Sequence, residues 1–193
     1  AQGSQSDDWD QNRRPNAGVL GMDAAQLGDY TCLVWCEQYG TSTTNLQVSW
    51  QIRHKTSDAV VGRGRIFDAG GIVKEPRVVA FGGQFRIYAI GAGGSANLGY
   101  LFIDPAQTQN VNETLTVLPG TVGPYQWFDV ALSATQVGIS IVAPLGIDHF
   151  IYTQAAPTTP AFNLSVATPS QANHIGNVFI NQGGGRFIAF YTY

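Results

Sequence analysis

A two-part phrase recurs about every fifty residues: a short apolar run, a turn of small residues, then a second run apolar on both alternating faces. The four copies are residues 16–22 with 30–35, 77–81 with 85–90, 128–133 with 137–142, and 177–181 with 187–191. With Tyr30, Phe85, Val137 and Phe187 taken as equivalent, the spacings are 55, 52 and 50 residues. Repeats of roughly this length, built from short strands, are the signature of propeller blades. The second run of each copy carries the physical constraint. In Cys32-Leu33-Val34-Trp35-Cys36 and in Phe187-Ile188-Ala189-Phe190-Tyr191 both alternating sets are apolar. An antiparallel strand of that kind must be covered on both faces. Stacked four-stranded blades cover both, whereas a simple sandwich leaves one face of each sheet to water.

The remaining strands follow in order. Leu46, Val48, Trp50 and Ile52 alternate with polar residues and predict a third strand. Residues 98–104 and 147–153 take the same place in later repeats, and 60–67, 114–118 and 162–166 supply fourth strands. Gly82-Gly83 and Gly183-Gly184-Gly185 provide turn positions for tight hairpins. No window carries a sustained helical stripe. The fold expected is all-β: propeller-like blades of four antiparallel strands, about three and a half of them, with a jelly-roll or β-sandwich as the alternative. Residues 1–16 read as a polar arm or linker and 17–193 as the propeller-like domain. A last blade of two strands leaves an open edge, so the expectation is a fragment of a larger propeller or a ring completed by neighbouring chains.

Composition narrows the function classes. Charged residues make up 12% of the chain, about half the usual share of ~25%. Polar uncharged surfaces pack into large assemblies without desolvating many charges. The net charge of −3 and eight scattered arginines give no footprint for specific nucleic-acid binding. No run approaches the ~20 apolar residues of a membrane helix, so no membrane insertion is expected. Cys32 and Cys36 share one face of a strand, about 13 Å apart, beyond disulfide reach. With Val34 between them they read as small core residues, and no metal-ligand set surrounds them.

No enzyme is expected. The three glutamates, Glu37, Glu75 and Glu113, stand in no recognisable catalytic context, and paired carboxylates for glycoside cleavage are not evident. Asp148 and His149 are strand neighbours and point to opposite faces. Nucleophile-elbow, zinc-protease and phosphate-loop motifs do not occur, so neither catalytic residues nor a cofactor are assigned. Aromatic side chains remain as contact candidates. Tyr125, Trp127, Tyr152 and Trp50 are candidates for stacking on sugar rings; Tyr125 and Trp127 lie in the Pro/Gly-rich link between the second and third repeats, Trp50 fits its strand's core stripe, and Trp9 is a candidate anchor in the arm.

Residues 75–88 and 129–142, with residues 28–35, resemble propeller blades in virion proteins of tailed bacteriophages, of the tail nozzle and hub type. The resemblance spans roughly residues 17–193. It implies a non-enzymatic structural protein of the virus particle: an oligomeric scaffold within a tail assembly, located in the virion, contacting other tail proteins and the host surface. A carbohydrate-binding, lectin-like propeller or host-receptor-binding protein, recognising a surface glycan, is the alternative.

Overall fold

The structure, a computed structural model, describes residues 21–38, 46–67, 72–92, 96–106, 110–121, 123–125, 127–143, 146–167, 176–183 and 186–192. The described residues form strands and turns without helix. The strands are β1 (Gly21–Leu27), β2 (Tyr30–Gln38), β3 (Leu46–His54), β4 (Val60–Phe67), β5 (Lys74–Phe81), β6 (Gln84–Ala92), β7 (Asn97–Ile103), β8 (Asn110–Thr114), β9 (Thr116–Val117), β10 (Trp127–Leu132), β11 (Gln136–Ala143), β12 (Gly146–Thr153), β13 (Phe162–Ala167), β14 (Gly176–Gly183) and β15 (Arg186–Thr192).

They assemble as consecutive antiparallel sheets, β1-β2-β3-β4, β5-β6-β7-β9, β10-β11-β12-β13 and the hairpin β14-β15. Among the described residues there are therefore three four-stranded blades and a two-stranded one, none closed into a barrel. The first strands follow one another in space, β1 against β5, β5 against β10, and β10 against β14. Two apolar cores separate the first three sheets. Cys32, Val34, Cys36, Val48, Trp50 and Ile52 of the first sheet meet Val78, Phe85, Ile87 and Ala89 of the second. Tyr88, Ile90 and Leu98, from the other face of the second sheet, meet Phe128, Val137, Ile139, Ile141, Phe150 and Tyr152 of the third. β6 thus serves both cores with alternate residues, as its two apolar faces require. Cys32 and Cys36 are free and buried in the first core, where desolvation pushes both thiols up to about 12.

Two strand assignments are corrected. The first strand, expected to end at Met22, runs on to Leu27 and is described from Gly21, while residues 16–20 lie outside the described residues. It turns through Gly28-Asp29, with Gly28 at φ 57°, and pairs Leu27 with Tyr30 and Gly21 with Cys36. Its inward set includes Asp23, whose carboxylate accepts the Val78 amide at 2.9 Å. That bond satisfies an acid on a core-facing position and ties the first sheet to the second.

The outer strand of the second repeat, expected over 114–118, is split. β8 pairs in parallel with β4 of the first sheet, Arg63 opposite Asn110 through Phe67 opposite Thr114. β9 pairs antiparallel with β7 of its own sheet. Leu115 lies between them and is buried in the first core, so this segment links neighbouring blades.

Candidate functional site

The gap between the second and third sheets holds a group of polar side chains inside the second core. On β6, Arg86 and Tyr88 sit two residues apart and share the face that looks at the third sheet. The Arg86 side chain crosses towards the β5–β6 turn. Its guanidinium lies over Phe81 and over Phe102, each ring centroid 4.7 Å away. Phe102 stands directly across from Arg86 in the β6–β7 register and leans on Tyr100, ring centroids 4.7 Å apart. Arg86 is 2% exposed.

Its two planar faces are covered, but its N–H edge is not served. Nε and Nη1 are buried without an acceptor, and Arg86 forms no ion pair among the described residues. Cation–π contact contributes about 2 kcal/mol or more when desolvated, whereas removing a cation from water costs several kcal/mol. Aromatic faces do not accept the in-plane N–H bonds, so that cost is only partly offset. Nη2 points to the rim of the gap. A Cβ at Gly82 would come 3.1 Å from it and 3.3 Å from Cγ of Gln154, so the glycine leaves room for both side chains to come together there. Gly82 is also at φ 64°, where glycine is favoured.

Tyr88 is buried beside this cation. Burial pushes its phenol up to about 12, and the Arg86 charge opposes that shift. The Tyr88 hydroxyl falls short of good hydrogen-bond geometry with the guanidinium and stays without an acceptor. Across the gap, Tyr152 donates to the Pro119 carbonyl at 3.3 Å, and desolvation also raises its phenol. Tyr125 is 2% exposed and packs in the same core, its hydroxyl 3.5 Å from Asp148 Oδ2. Asp148 accepts a further bond from Ser165 Oγ. The gap therefore contains several donors, and the acceptor beside Arg86 is the weakly placed Tyr88 hydroxyl oxygen.

The sequence candidates fall as follows. Tyr125 presents no ring face to solvent, so the sugar-stacking role expected of it is not available in this fold. The residue follows a backbone bond, its own amide to the Ala96 carbonyl at 2.8 Å, that holds the link against the second sheet. Trp127 is half-buried on β10, with the Arg77 guanidinium 4.8 Å over its ring. Arg77 also lies 3.7 Å from the Asp129 carboxylate. Trp127 thus acts between the second and third sheets. Trp9 lies outside the described residues. Trp50 is a core residue, as its stripe suggested, and Tyr152, a candidate for sugar stacking, is buried in the second core instead.

Asp148 and His149 take opposite faces, paired with Ser165 and Leu164 respectively. His149 looks towards the fourth sheet, and desolvation lowers its pKa against the opposing pull of Asp148. A second polar group lies on the outer face of the first sheet, where Glu37 Oε1 accepts from Gln47 Nε2 at 2.9 Å and from Ser49 Oγ at 2.7 Å. No group of three metal-ligating side chains occurs among the described residues.

Sequence reasoning did not single out Arg86. The signal was present: in the inward set Arg86, Tyr88, Ile90 of a strand covered on both faces, a cation occupies a core position.

No family model matches the chain, and no curated protein matches it. The fold and the gap define a propeller-like, all-β stack of blades with a desolvated cation between two of them.

Proposed function

We propose that this chain is a non-enzymatic structural protein of a virus particle, acting as a rigid propeller scaffold within a phage tail assembly and contacting neighbouring tail proteins. The observation that carries the reading is the outer half of the third sheet. Phe162 and Leu164 on β13 are each 49% exposed, and by register they share the face of Ile147, His149 and Ile151. β14 packs on β10 and β11 of that sheet, and Ile147 of β12 is buried, but Phe162 and Leu164 of β13 lie beyond that cover. On the outer strand of the first sheet, by contrast, Ile66 is buried in the first core. Such a face suits a neighbouring protein in an assembly. The low share of charged residues supports the same role.

The carbohydrate-binding alternative has less support, because the ring of Tyr125 is buried and that of Trp127 is covered by Arg77.

Mass spectrometry of purified virus particles from the source material tests the proposal. Peptides of this chain should copurify with tail proteins through a density gradient, and detergent-free dissociation should release it in complex with them. Recovery of the chain only in the particle-free fraction would refute the reading. In vitro, Phe162→Ser with Leu164→Ser should abolish complex formation and leave the thermal midpoint within about 2 °C, since both side chains are half exposed.

A further inference from the structure

The geometry points to an anion site between the second and third sheets: a compact monoanion, either a halide or the carboxylate of a ligand, lying in the plane of the Arg86 guanidinium. Three observations meet there. The guanidinium is 2% exposed, yet Nε and Nη1 have no acceptor. Phe81 and Phe102 clamp its faces at 4.7 Å each and leave the N–H edge as the only direction for a partner. The Tyr88 hydroxyl, also buried without an acceptor, is a neighbouring donor.

The guanidinium is closed off from solvent, so an anion reaches its edge by displacing side chains at the rim. Gly82 lacks the Cβ that would come 3.1 Å from Nη2, and the exposed Gln154 side chain is the group beside it there. The carboxylates of the described residues are engaged elsewhere or lie off this edge: Asp148 takes Ser165 and Tyr125, and Asp129 faces Arg77. Nε and Nη1 lack an acceptor in hydrogen-bond geometry and the Tyr88 hydroxyl oxygen offers only a weak one, so the site draws an anion from solution. A compact anion suits it, since the flanking rings restrict width and leave only the plane of the guanidinium for a partner. The site is independent of the scaffold role, so either can fail alone.

The test is thermal unfolding of the whole chain at constant ionic strength, with bulky isethionate replaced stepwise by bromide in one series and by formate in the other. A saturating rise in midpoint of about 5 °C is expected at a hundredfold excess over the dissociation constant. A rise in bromide alone identifies a free halide, and a rise in formate alone identifies a carboxylate ligand. Arg86→Met should abolish the rise, and Tyr88→Phe should shift its midpoint concentration several-fold upward. Should Arg86→Met fail to fold, crystals of the unaltered chain soaked in bromide and in formate decide. An anomalous peak, or formate density, in the guanidinium plane supports the site. Flat titrations in both series, a slope retained in Arg86→Met, or ordered water alone on that edge would overturn it.

Discussion

Single side chains in this fold are governed by which gap they enter, and His149 shows the consequence for pH. It stands on β12 facing the fourth sheet, and desolvation holds its pKa below the ordinary 6.5. The folded state therefore binds a proton less readily than the unfolded chain. Stability from this group is complete above about pH 6.5 and is lost as pH falls through and below that value. Glu75 and Glu113 act with the opposite sign, since desolvation raises both. Their preference for the protonated form adds stability as pH falls towards 4.5, and it disappears as pH rises through their folded values. The two effects are separable by substitution. In urea titrations between pH 7.5 and 5.5, His149→Gln should flatten the fall in stability seen for the unaltered chain. Parallel pH profiles for the two proteins would show that His149 contributes nothing to the slope.

Among elements, the ones legible in the sequence were those whose pattern is local. β3 and β4 begin at Leu46 and Val60, where period-two alternation begins, and β6 and β11 were marked by their two apolar faces. Misplaced elements depend on partners distant in the chain. β1 carries few large apolar residues, and its core-facing Asp23 is tolerated only because the Val78 amide meets it. The β8–β9 split rests on a parallel pairing with β4, for which no local pattern exists. The Arg86 site was hidden for the same reason: a lone arginine in a strand has no spacing, and its meaning comes from Phe81, Phe102 and the facing sheet. Gly91 offers a test of such a tertiary constraint. It sits at the irregularity between Ile90 and Ala92 with φ 136°, and a Cβ there would collide with the Ile72 carbonyl. That close approach places Val73 to donate its amide to the Leu46 carbonyl at 2.9 Å, linking the first and second sheets. Gly91→Ala combines backbone strain with a steric clash and should cost about 3 kcal/mol or more. A denaturant midpoint within error of the original would mean that this backbone yields freely.

At the level of the molecule, the central sheet decides how the chain unfolds. β6 gives Phe85, Ile87 and Ala89 to the first core and Tyr88 and Ile90 to the second. Neither outer sheet can leave without exposing one face of it, and β8 adds a backbone link from the second repeat to β4. A strand that has lost one apolar cover is no longer stable on the other, so the two cores should melt together. This differs from an open repeat array, where each unit contacts only its neighbours and fraying can proceed from an end. Ile52 and Ile139 are fully buried, one in each core. Truncating either to alanine removes apolar contacts and leaves a cavity, at a cost of about 2–5 kcal/mol. Both variants should shift one shared transition, with coincident curves from tryptophan fluorescence, dominated in part by Trp50 of the first core, and from circular dichroism of all sheets. Because the two sites belong to different cores, their effects in the double variant should add to within about 0.5 kcal/mol. If Ile139→Ala instead produced an early circular-dichroism phase while Trp50 emission stayed native, the third sheet would be unfolding alone. The second sheet would then be held by the first core without its partner, and the rigidity required of a scaffold would end at the Arg86 gap.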